Sequence, residues 1–136
     1  MTDRIIKGHI GIGPKVTGEA LVANDNFSAR YDLNRVDGVF SRPTHKLIGQ
    51  NYVGKVLVLN IAKGGVATAW MLREMAAREM APLALLLNFA NPIMAQGAAF
   101  GDVSLIDRFD LDITGAIDTG NQVTVDPGSG TVVVHE

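Results

Sequence analysis

No cysteine occurs in the 136 residues. Disulfides, thiolate nucleophiles and a cysteine-ligated iron–sulfur cluster are therefore excluded within this chain, and the absence fits a cytoplasmic protein. An excess of charge of one sign is missing too. Lys and Arg number 12 against 14 Asp and Glu, for a net charge of −2, and the basic residues are scattered. With no basic run and no basic stripe studded with aromatics, nucleic acid is not an expected partner. Long hydrophobic runs are absent as well. The N-terminal MTDRIIKGHIGIG has no signal-peptide core. The most apolar stretch, Ala81 to Ala90, is about half of what a membrane span needs. A soluble chain without membrane association is expected.

What is present points to one domain over residues 1–136. Hydrophobic residues make up 47% and charged ones 19%, a globular balance, and a chain of this length buries roughly two-thirds of its unfolded surface. The 15 glycines fall between short β-type runs, as in a strand-rich fold with tight turns. Gly18 to Ala23 reads as an early strand reached through the Gly8–Gly13 stretch. Asn24 to Asn26 reads as a polar turn, and Asp32 to Gln50 as an ordered loop around a short strand at Val39 and Phe40.

The middle of the chain is the clearest part. Lys55 to Ile61, KVLVLNI, is continuously apolar from Val56 to Leu59, as a strand buried on both faces should be. After Ala62-Lys63-Gly64-Gly65 the period turns helical, with Ala69, Leu72, Met75 and Ala76 on one face. Pro82 predicts the helix end near Met80. Leu83 to Asn88 is a second apolar strand, so the unit is a parallel βαβ crossover. Ile93 to Ala99 reads as a short helix closing at Gly97, with weaker strands at Val103–Ile106 and Asp110–Ile113. Gln122–Asp126 and Thr131–His135 alternate across Pro127-Gly128-Ser129-Gly130, a β-hairpin. The expected fold is mixed α/β: a β-rich, barrel-like sheet flanked by two or three helices, with a central βαβ unit.

The strongest chemical signal is the strand–helix junction Ala62-Lys63-Gly64-Gly65-Val66-Ala67-Thr68. Two glycines allow a tight turn with accessible backbone. The unpaired N–H groups and dipole of the helix start attract an anion, and Lys63 adds a full charge. A carboxylate or phosphate is the natural occupant of Lys63, Gly64, Gly65 and Val66. The alternative is a plain turn that uses glycine for geometry alone, because neither the Walker loop nor the dinucleotide fingerprint is present. Thr68 either touches a ligand or caps local backbone. Arg30 can fork onto a substrate carboxylate or pair with Asp32 or Asp37. His45 either binds substrate or makes a structural hydrogen bond. No histidine has a second ligand at metal spacing, so no metal site is expected in this chain alone.

Gly18-Glu19-Ala20-Leu21-Val22, Phe27-Ser28, Asp37-Gly38, His45-x-Leu47-x-Gly49-Gln50 and Gly54-Lys55-Val56-Leu57-Val58-Leu59 come in a distinctive order. Lys63-Gly64-Gly65, Ala81-Pro82-x-Ala84, Asn91-Pro92-Ile93 and Gly97-Ala98 continue it. Together they resemble the small-subunit domain of the aconitase X family, from about Gly18 to the C-terminal hairpin. The resemblance implies a swivelling β/β/α domain and a hydro-lyase that dehydrates a hydroxy acid, with phosphomevalonate and cis-3-hydroxyproline as the family's substrate types. It also implies a separate large subunit, in a heterodimer or higher assembly, whose cysteines hold iron or an iron–sulfur cluster. No cofactor is expected in this chain itself.

The resemblance breaks at one place that matters. The family junction reads as an Arg-Gly-Ser type motif whose serine is taken as the catalytic base; here Lys63, Gly64 and Gly65 stand there. Glycine cannot take a proton; Thr68, three residues on, offers a hydroxyl, though in a different direction, and Thr68 and Lys63 are the candidate catalytic residues of this chain. The family's Ser-Phe-Trp-Gly-Gly type segment is altered to Phe27-Ser28-Ala29-Arg30-Tyr31. The chain then serves a divergent substrate, borrows a base from the large subunit, or has lost the lyase reaction. A dehydratase subunit is expected; the alternative is a non-catalytic swivel module that binds an anionic metabolite or a partner protein. A phospho-carrier using His45 is the weaker third reading, since His45 has no adjacent helix start to steady a phosphate.

Overall fold

The computed structural model describes residues 3–27, 32–34, 36–62, 66–90 and 92–135, and gives only the backbone at 66–69, 92–94 and 100. In order, the elements are β1 (Arg4–Lys7), β2 (Val16–Val22), β3 (Leu33–Asn34), β4 (Val39–Phe40), β5 (Val56–Ile61), α1 (Val66–Ala77) and β6 (Ala84–Phe89), followed by α2 (Pro92–Phe100), β7 (Ser104–Asp107), α3 (Ile113–Ala116), β8 (Gln122–Asp126) and β9 (Thr131–His135). Seven of these strands form one mixed sheet in the order β1-β9-β8-β2-β5-β6-β7.

The sheet changes character along β2. Its first half, Val16 to Glu19, runs antiparallel to β8, while Ala20 to Val22 runs parallel to β5. β5, β6 and β7 are parallel to one another, joined through α1 and α2 as the βαβ pattern requires. The β8–β9 hairpin and β1 complete an antiparallel half.

Residues 8–13 close the sheet. Gly8 N–H donates to Gly130 O at 2.8 Å and Gly11 N–H to Pro127 O at 2.8 Å, while Ile12 and Leu105 exchange backbone bonds of 2.9 and 2.8 Å. The strap thus joins the β1 edge to the β7 edge and gives the barrel-like form. A Cβ on Gly11 would lie 1.9 Å from Leu105 O, and Gly13 has φ 99°, so both positions require glycine.

Strands buried on both faces feed two cores. Leu57, Leu59, Leu85, Leu87 and Leu105 pack with Leu72 and Met75 of α1. Val56, Val58, Ala84, Leu86 and Ile106 face the other way, onto Ile113 of α3 and the valines of β8 and β9. The period of two thus assigns alternate leucines and valines to opposite layers.

Three sequence expectations are corrected, and one strand is added. α1 ends at Ala77 rather than near Met80, because Glu79 takes a left-handed φ of 58° and Met80 N–H closes on Met75 O at 2.8 Å, a Schellman cap. α2 does not close at Gly97. It runs on to Phe100, since glycine's helix penalty of about 1 kcal/mol yields to packing on α1. Asp110–Ile113 is not a strand: Asp112 caps α3, accepting Thr114 N–H at 3.0 Å. Arg4–Lys7, unassigned from sequence, is a strand because β9 pairs with it. Among the described residues, no helix is long and apolar enough to cross a membrane.

Candidate functional site

The parallel strands of the sheet end along one edge. β2, β5, β6 and β7 run the same way where they adjoin, so their C-terminal ends share a rim, where open parallel sheets bind ligands. Phe27 bridges to Ala62, Ala62 N–H donates to Phe89 O at 3.1 Å, and Ala90 N–H donates to an Asp107 oxygen at 3.0 Å. Ala62 and Val66 flank the glycine junction, and Phe27 precedes the Arg30 segment. Lys63, Gly64, Gly65 and Arg30 themselves lie outside the described residues. The backbone of Val66 and Thr68 is in the first turn of α1.

Beneath that rim, an inner-face row of polar side chains takes over where the apolar row stops. Asn60 and Asn88 occupy equivalent places in the strands VLVLNI and ALLLNF. The Asn88 amide donates to Asn60 at 3.0 Å and to Asp112 at 2.9 Å, and its oxygen accepts Ile113 N–H at 2.9 Å. Asp112 is held below the ordinary carboxylate range, first by Asn88 and then by the hydroxyl and N–H of Thr114. The repeated leucine-asparagine step was the sequence signal for this tie, and sequence reasoning passed over it.

A cleft of about 280 Å³ opens at the ends of β6 and β7. Ile10, Ile12, Ala95 and Leu105 give it an apolar lining, and Asp107 and Arg108 are its charged members. Arg108 has φ 55°, its Nε lies 3.4 Å from Asp107, and its guanidinium sits 5.6 Å over the Phe89 ring. Nothing in the sequence pattern singled out Arg108; the reversal of the backbone there is visible only in three dimensions.

His45 lies in the polar loop, bonded to the Asp25–Phe27 segment that runs along the end of β5. It is 2% exposed and stacks on Phe40 with ring centroids 4.6 Å apart. Its Nδ1 accepts Leu47 N–H at 3.0 Å, and its Nε2 donates to Asn26 O at 2.8 Å. Both nitrogens are thus engaged within the chain. Around it, Arg42 pairs with buried Asp32 and reaches Asp25 at 3.6 Å. Burial opposes the charge on Asp25, but N–H donors from Asn26 and Lys46, with His45 and Arg42 nearby, outweigh it and hold the carboxyl below its ordinary value. Asp37 accepts from the Asn34 amide at 2.9 Å. Arg42 was not singled out from sequence, though it provides a cation that Asp32 requires. Among the described residues, no three His, Asp or Glu side chains are grouped as a metal site needs.

Comparison with known proteins places these features in a wider setting. The model of the aconitase X swivel domain matches residues 5–134. The phosphomevalonate dehydratase small subunit of Methanocella arvoryzae is 32% identical over 93% of this chain and 96% of its own length. That of Methanothrix thermoacetophila is 33% identical over 96% and 95%. The crystal structure of Thermococcus kodakaraensis aconitase X, holo-form, superposes with a TM-score of 0.90 at 28% identity, covering 98% of this chain and 99% of that one.

Proposed function

Because the chain belongs to the aconitase X swivel-domain family, we propose that it is the small subunit of a dehydratase acting on a phosphorylated hydroxy acid of the phosphomevalonate type. The observation that supports this most is end-to-end likeness to small subunits of phosphomevalonate dehydratase, over 93% and 96% of the chain. The partner is a large aconitase-X-type subunit, and the assembled enzyme is cytoplasmic. The iron or iron–sulfur centre belongs to that subunit, where it would supply a Lewis acid for the departing hydroxyl.

Dehydration breaks a C–O bond and removes a proton from the carbon next to the carboxylate, leaving a double bond and water. This chain's part is to hold the acid. Lys63 and the N–H groups of Gly64, Gly65 and Val66 bind the substrate carboxylate beside the reacting carbon, through charge and the start of α1. Arg30, from the neighbouring segment, adds a forked donor. His45 acts through the loop it pins rather than by direct contact. Gly65 cannot accept the proton, so the base comes from the large subunit, with Thr68 the only hydroxyl this chain offers in the first turn of α1.

Replacing Lys63 with Met in the reconstituted pair should raise KM about ten- to hundred-fold, the worth of a charged hydrogen bond. Unchanged kinetics would remove Lys63 from its role. Glycine at position 65 favours a second reading, a swivel module without turnover. It predicts that the assembled pair binds the acid but releases no water.

A further inference from the structure

Resting on the dehydratase function just proposed, we infer that Arg108 is a second anion-binding residue of the site and takes the phosphate of the substrate. A phosphomevalonate-type acid carries two anionic ends, a carboxylate and a phosphate. Lys63 and the start of α1 account for one. The other needs a cation on the same rim, at the far end of the carbon chain.

Arg108 meets that need on four counts. It follows directly on β7, and β7 is separated from β5 only by β6. Two interstrand spacings put the ends of β5 and β7 about 9–10 Å apart, which suits the extended chain of such an acid. Beside Arg108, at the ends of β6 and β7, the cleft of about 280 Å³ offers an apolar lining from Ile10, Ile12, Ala95 and Leu105, suited to part of a carbon skeleton.

The guanidinium is also held ready. Nε lies 3.4 Å from Asp107 and the guanidinium sits over Phe89, while about half of the side chain, 51%, stays open to a ligand. Among the described residues, no partner engages its two terminal nitrogens, which leaves the forked pair that matches phosphate. Finally, the backbone at Arg108 is left-handed, with φ 55°. A non-glycine residue adopts that region only at a cost, and such residues gather at binding sites. Here the cost is met by fixed contacts: Arg108 N–H donates to Asn88 O at 3.1 Å, and His9 N–H to Asp107 O at 3.1 Å.

The test uses the full chain assembled with its large subunit and two substrates, the phosphorylated hydroxy acid and the same acid without phosphate. Arg108→Gln should raise KM for the phosphorylated acid about ten- to hundred-fold, leave KM for the other unchanged, and weaken inhibition by inorganic phosphate. Arg108→Lys should restore part of the loss and serves in its place if the Gln variant misfolds. Equal effects on both acids, or none, would overturn the inference while leaving the dehydratase function intact. So would a weakened complex with normal KM values, which would make Arg108 a partner contact. A wild-type pair that dehydrates neither acid would overturn the function and the inference together.

Discussion

Asp25 keeps its charge in spite of partial burial because the backbone N–H groups of Asn26 and Lys46 donate to it, with His45 and Arg42 nearby. Its folded pKa lies below the ordinary 3.8, so the charged form is stabilised by folding. That contribution is fully present above pH 3.8 and is lost as pH falls through the lowered value. Asp112, held down by Asn88 and Thr114, follows the same sign. Acid titration of the melting temperature should therefore fall below about pH 4, and Asp25→Asn should flatten part of that fall. A variant with the wild-type acid slope would show that Asp25 does not steady the loop. Little of this was legible beforehand: the sequence shows Asp25, Asp32, Arg42 and His45 spread over 21 positions, and only the folded loop gathers them. Lys63 and Gly65, by contrast, stand out from local pattern alone.

At the level of elements, continuity of apolar residues was enough to find β5 and β6, and alternation was enough for β8 and β9, whose bounds match the expected hairpin. Short elements governed by side-chain bonds were not legible. α3 depends on Asp112 and on the Asn88 amide 24 positions away, and β1 depends on β9. The strap at residues 8–13 is the most demanding case. Its glycines read only as the stretch leading to β2, yet they lie against β7 and the hairpin turn. Gly11→Ala should destabilise the fold by about 3 kcal/mol or more, since backbone rather than a side-chain tip must move. Denaturant unfolding measures this. A loss below about 1 kcal/mol would mean that the strap is not what closes the sheet.

For the whole molecule, the mixed fold with a central βαβ unit was readable because two strands buried on both faces need covering layers on each side. Closure by the strap was not readable, because it depends on contacts between residues far apart in sequence. The resulting body presents one rim where β2, β5, β6 and β7 end, with Ala62 at the end of β5 and Arg108 after β7. The chain has no cysteine and no base at position 65, as the proposed sharing of the site with a large subunit requires. The most direct measurement is co-expression with a large, cysteine-bearing aconitase-like subunit, followed by purification, iron analysis and an assay for water loss from a phosphorylated hydroxy acid. A stoichiometric, iron-bearing complex that forms the unsaturated acid is the predicted result. A chain that purifies alone, or a complex that binds the acid without turnover, would contradict it.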